Sequence, residues 1–134
     1  MKIQKFEELT IWQESMRLVE LIYQVLQSDR FKSNFALKNQ ISRCAVSVPS
    51  NIAEGFEREN NNEFINFLRI SKGSLGECKT QLILAVKLGY ITNQNFVDLE
   101  RKIELVGKQI GSLIKYLRVN RTNDRLTTKK HLRK

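Results

Sequence analysis

The stretch FINFLRISKGSLGECKTQLILA, residues 64–85, decides the fold. Its residues Phe64, Leu68, Ser71, Leu75, Cys78, Leu82 and Ala85 recur at steps of 4, 3, 4, 3, 4 and 3. That spacing returns side chains to one side of an α-helix and is also the spacing of a heptad seam. No two-residue alternation competes with it, so the segment is not a strand. The spacing predicts a helix over about 62–88, entered through the polar run Glu59-Asn60-Asn61-Asn62 and closed by Gly89 in the left-handed conformation.

Working outward, the same period appears three more times. Upstream, Leu37, Ile41, Cys44, Val48 and Ile52 predict a helix over about 35–58, with Ser33 or Asn34 as its cap. Pro49 removes a backbone donor in the middle of it and crowds the carbonyl of Ala45. The period keeps its phase across the proline, so the expectation is one continuous, kinked helix. Further upstream, Leu9, Trp12, Met16, Val19, Tyr23 and Leu26 predict a helix over about 8–28 with those residues as its seam. Downstream, Phe96, Leu99, Ile103, Val106, Ile110, Leu113 and Leu117 predict a fourth, capped by Thr92 or Asn93.

Four long helices joined by short loops place sequence neighbours antiparallel. The expected fold is therefore all-α: an up-down-up-down four-helix bundle over residues 1–119, followed by a flexible basic C-terminal tail over 120–134. Gly73 and Gly76 each cost a helix about 1 kcal/mol, and they are read as marks of a close crossing against the second helix. Off the seams lie Ile65, Phe67, Ile70, Leu84, Leu88, Leu105 and Ile114. A monomer would leave many of these wet, which predicts a homo-oligomer.

At 134 residues the chain fits one domain that needs no disulfide or structural metal to hold its core. No long uncharged apolar run is present, and the first 16 residues do not read as a signal peptide. A cytoplasmic, non-membrane protein is expected, with Cys44 and Cys78 as small core residues. The formal net charge of +9 points to anionic partners, nucleic acid above all. More than half of it falls in the tail, where Arg121, Arg125, Lys129, Lys130, Arg133 and Lys134 face one acid, Asp124. Arg101, Lys108, Lys115 and Arg118 extend that charge back along the fourth helix at steps of 7, 7 and 3. These ten cations are the candidate nucleic-acid contacts, although the last-turn cations also complement a helix dipole.

Catalytic chemistry finds little support. Bundles that hold di-iron sites need Glu-x-x-His pairs, whereas the one histidine here is His131, in the tail. No Cys-x-x-Cys pair or phosphate-binding glycine loop is present, so no metal and no cofactor are expected. The serines Ser42, Ser47, Ser50, Ser71 and Ser74 have no core histidine to act as base, and the chain is read as a non-enzyme. Along the second helix Gln40, Arg43, Ser47, Asn51, Glu54 and Arg58 form a polar set. Two readings stand: a ligand or nucleic-acid surface, and a buried or subunit-facing hydrogen-bond network in which Glu54 pairs with an arginine.

The segment QISRCAVSVPSNIAEG, residues 40–55, resembles the four-helix bundle proteins encoded by intervening sequences within bacterial 23S ribosomal RNA genes. FEELTIWQ at 6–13, EFINFL at 63–68, GSLGE at 73–77 and LGYI at 88–91 carry the resemblance across nearly the whole chain. Departures are small: Cys44 stands where that family tends to have alanine, and Cys78 where it tends to have leucine. The resemblance implies a ring of subunits, with a pentamer favoured. It also implies likeness to the accessory protein of diversity-generating retroelements, a basic barrel that works with reverse transcriptase and nucleic acid. The resulting expectation is a non-catalytic oligomer that binds RNA or structured nucleic acid by charge and shape. The alternative is a structural or protein-interaction module without nucleic-acid binding.

Overall fold

The computed structural model describes residues 2–120, so the tail cations Arg121, Arg125, Lys129, Lys130, Arg133 and Lys134, and the expected flexibility of that segment, lie outside the described residues. Four helices are present: α1 Thr10–Leu26, α2 Phe35–Glu57, α3 Asn61–Lys87 and α4 Asn93–Val119. Short 3-10 turns at Phe6–Glu8 and Asp29–Ser33 precede α1 and α2. These bounds differ from the sequence expectation by no more than two residues, because the punctuation is local. Asn34 Oδ1 accepts the Leu37 N–H at 3.1 Å, Asn60 Oδ1 accepts the Glu63 N–H at 3.0 Å, and Thr92 Oγ1 accepts the Asn95 N–H at 3.1 Å.

Gly89 closes α3 with φ +83°. Its N–H donates to Val86 O and that of Tyr90 donates to Ala85 O, the paired bonds that satisfy the last carbonyls of a helix. The helix α2 runs unbroken through Pro49, as its unchanged phase implied. Beside the proline, Ser71 Oγ of α3 donates to the carbonyl of Val48 at 2.9 Å.

Each helix packs on the next, most extensively α2 on α3, and α1 against α4 closes the bundle. At the far end Asn61 Nδ2 donates to Asn120 O at 3.2 Å, tying the start of α3 to the end of α4. The seam of α3 is buried throughout, from Phe64 to Ala85.

Helix α1 departs from its expected seam. The core takes Ile11, Ser15, Leu18, Ile22 and Leu26, while Met16 and Tyr23 are exposed and Trp12 and Val19 only half-buried. The helix carries two apolar stripes one residue apart, about 100° around the axis, and a period cannot tell which of them faces inward. In α2 the small Ala45 enters the core and Cys44 is half-exposed; in α4 Ile114 is buried and Leu113 is displaced to the margin. Ile65, expected off the seam, is likewise core.

The glycine expectation is also corrected. A Cβ on Gly73 or Gly76 would meet nothing within 4 Å, so neither marks a close crossing. The tight contact belongs to Gly55, where a Cβ would lie 2.7 Å from both Phe64 Cδ1 and Phe67 Cβ. Among the described residues no helix is long and apolar enough to cross a membrane.

Candidate nucleic-acid interface

Two segments without acids, 64–76 on α3 and 105–119 on α4, are laid side by side by the antiparallel packing of these helices. Their other halves are neutralised. Lys79 Nζ lies 3.3 Å from Glu100 Oε2 and 3.6 Å from Glu104 Oε2, and the Glu100 hydrogen bond raises its pKa. The acid-free ends behave otherwise. Arg69 and Lys72 from α3, with Lys115 and Arg118 from α4, line a cleft of about 460 Å³ floored by Gly111 and Ile114. Among the described residues, none of these four cations makes an ion pair.

The structure thus divides the expected basic stripe. Lys115 and Arg118 join the cleft, and Lys108 is exposed on the same acid-free half of α4. Arg101 sits in a separate depression with Leu21, Asp98, Lys102 and Leu105, on the half of α4 that carries the acids. There Lys102 Nζ donates to Glu14 Oε1 at 2.7 Å, joining α4 to α1, and this bond holds the Glu14 carboxyl below its ordinary value. Sequence reasoning passed over Arg69 and Lys72. The available signal was the absence of acids from both segments, which becomes a site only once the helices are paired.

The polar set of α2 does not act as one face. Ser47 Oγ lies 2.9 Å from Ser74 Oγ of α3, and Asn51 Nδ2 donates to Ser47 Oγ at 3.0 Å and to Ser47 O at 2.8 Å. This half is a network between two helices of one chain. Glu54 is not buried: Arg58 Nη2 meets Glu54 Oε2 at 3.0 Å with both side chains about half exposed. Arg58 also reaches Glu63 at 3.6 Å and covers the Phe67 ring at 5.0 Å from its centroid. Gln40 is exposed, and Arg43 lines a shallow groove with Tyr23, Asn39, Ser42, Val46 and Ser47.

Burial pushes the Cys78 thiol up to about 12, and partial desolvation raises Cys44 as well. Among the described residues no three His, Cys, Asp or Glu side chains gather as a metal site.

Fold and site together define a class: a basic, all-helical bundle with unpaired cations gathered on one face among the described residues. Within that class, the chain belongs to the 23S rRNA-intervening sequence protein family, whose profile matches residues 7–112. Arg69, Lys72 and Gly111 lie inside the matched residues, and Lys115 and Arg118 lie beyond them. The bundle is also similar to a crystal structure from Bacteroides thetaiotaomicron, described as a protein with unknown function from the S23 ribosomal protein family. That match has a TM-score of 0.73 at 23% identity and covers 79% of this chain and 99% of the other. At that identity it speaks for the fold. No curated protein matches the chain.

Proposed function

We propose that the protein is a non-catalytic, cytoplasmic homo-oligomer that binds nucleic acid, RNA or a structured form of it, through backbone phosphates. The observation that carries this reading is the acid-free basic face of α3 and α4, whose cations Arg69, Lys72, Lys108, Lys115 and Arg118 make no ion pair among the described residues. Unneutralised cations attract a polyanion, and its bound counterions are released as they engage. The face leads by sequence into the tail, which adds six more cations. Phosphate contacts position without specifying, so little base preference is expected.

The test is direct. The protein purified without nuclease should carry nucleic acid that can be sequenced, and should bind RNA at about 150 mM salt with an affinity that falls steeply as salt rises. No binding to RNA or DNA at that salt, with or without residues 121–134, removes the reading.

One observation favours the second reading, a protein-interaction module. Phe6, Trp12, Met16, Val19, Val46 and Pro49 line an apolar groove of about 290 Å³ between α1 and α2. A module of that kind would keep its partner after the basic face is neutralised.

A further inference from the structure

Resting on the nucleic-acid reading, we propose that the α3/α4 cleft is a built phosphate seat, in which Arg69 and Lys72 form one wall, Lys115 and Arg118 the other, and Gly111 the open floor.

The location of the charges is the first argument. Lys115 and Arg118 fall near the end of α4, where cations complement the helix dipole whatever else they do. Arg69 and Lys72 have no such explanation, since they lie inside α3, well away from its C-terminus. Four cations around one cleft of about 460 Å³ repel each other, and no acid among the described residues relieves them. An entering anion does.

Gly111 is the second argument. A Cβ added there would lie 3.5 Å from Lys72 Nζ, so the ammonium group reaches across the bare backbone of α4. A larger side chain at 111 would occupy the cleft that the four cations line.

The lining also selects the ligand chemistry. Two guanidinium forks and two ammonium groups offer many donors to the several oxygens of a phosphate. Among the described residues no aromatic side chain lines the cleft, so a base finds no stacking platform on them. The occupant is therefore a phosphate group of a nucleic-acid backbone, and free polyphosphate shares its chemistry.

Binding of a 20-base-pair RNA duplex and of inorganic tripolyphosphate to the full chain at about 150 mM salt tests the seat. Three variants are compared with the unmodified protein. Arg69→Gln/Lys72→Gln removes two cleft charges, Lys38→Gln/Lys87→Gln removes two elsewhere, and Gly111→Leu fills the floor without changing charge. Helical circular dichroism and the melting temperature confirm that each is folded. The cleft pair should weaken duplex binding by about tenfold or more, and the distant pair by about threefold or less. Gly111→Leu should follow the cleft pair, although it removes no charge, and tripolyphosphate should compete with the duplex.

Equal losses for the two double variants, with Gly111→Leu binding like the unmodified protein, overturn the seat and leave nucleic-acid binding by overall charge intact. Binding of tripolyphosphate without the duplex keeps the seat and overturns the nucleic-acid reading. Binding of neither by the unmodified protein overturns both.

Discussion

Gly55 shows how much one missing side chain decides. It lies in the last turn of α2, directly over Phe64 and Phe67 of α3, and the Cβ of Phe67, 2.7 Å from where a methyl would sit, cannot swing aside. Gly55→Ala should therefore destabilise the protein by about 1–3 kcal/mol through overpacking, read as a lower denaturation midpoint. An unchanged midpoint would mean that the two helices separate there without cost. The sequence pointed instead to Gly73 and Gly76, because glycine stands out inside a long period and looks ordinary near a helix end. A close approach depends on the partner helix, and no local pattern records it. The Glu14–Lys102 contact is a second such case, invisible until α1 and α4 are packed. Its carboxyl titrates below the ordinary value of 4.5, chiefly through the Lys102 hydrogen bond. A carboxyl with a depressed folded pKa stabilises above its unfolded pKa, and that contribution is lost as pH falls through the folded value. Between pH 6 and pH 3 the unmodified protein should lose more stability than Glu14→Gln. The difference should be at most about 1 kcal/mol, since both side chains keep some exposure. Parallel pH profiles would show that the pair contributes nothing.

Element boundaries were legible because they are written in caps and turns. Asn34, Asn60, Thr92 and Gly89 do locally what their chemistry allows, and the helix bounds follow. Orientation about the axis was legible only where one stripe is available. Helix α3 offers one full seam and buries it; α1 offers two, and the inward one is chosen by the other three helices. The outer face of α3 leaves a question of energy. Gly73 and Gly76 are exposed inside a 27-residue helix, where a Cβ would meet empty space. Among the described residues they cost helix stability with no packing to offset it. Gly73→Ala and Gly76→Ala should each raise stability by up to about 1 kcal/mol, measured by denaturant at a concentration where the protein is monomeric. Should the same variants lower the self-association constant, the bare face is used between copies; should they leave it unchanged, association runs through another face.

For the whole molecule, apolar exposure and charge make separate demands. Trp12, Met16, Val19 and Val46 line the groove of α1 and α2, while Ile70 and Leu84 on α3 and Leu88 just past its end are each about half exposed. An apolar groove on one side of the chain and exposed apolar side chains elsewhere on it suit a head-to-tail contact between copies, which closes as a ring when the rotation allows it. Light scattering at micromolar concentration should return a multiple of 15.7 kDa, and a single-chain mass would sink the oligomer. Assembly would then bear on the charge, because every copy would bring its own basic face and tail to a bound polyanion. The six cations of one tail, when engaged, should contribute about −5 to the slope of log affinity for duplex DNA against log salt, with the bundle cations adding to it. Deleting residues 121–134 should flatten that slope and weaken binding, leaving the part carried by α3 and α4. Lys108→Ala, which removes a single cation, should shift the slope by only about one unit. Tail deletion that leaves both slope and affinity unchanged would place all the phosphate contacts on the bundle, and a slope well beyond about −10 would exceed what the tail and bundle face of one copy supply and mean that several copies engage one strand together.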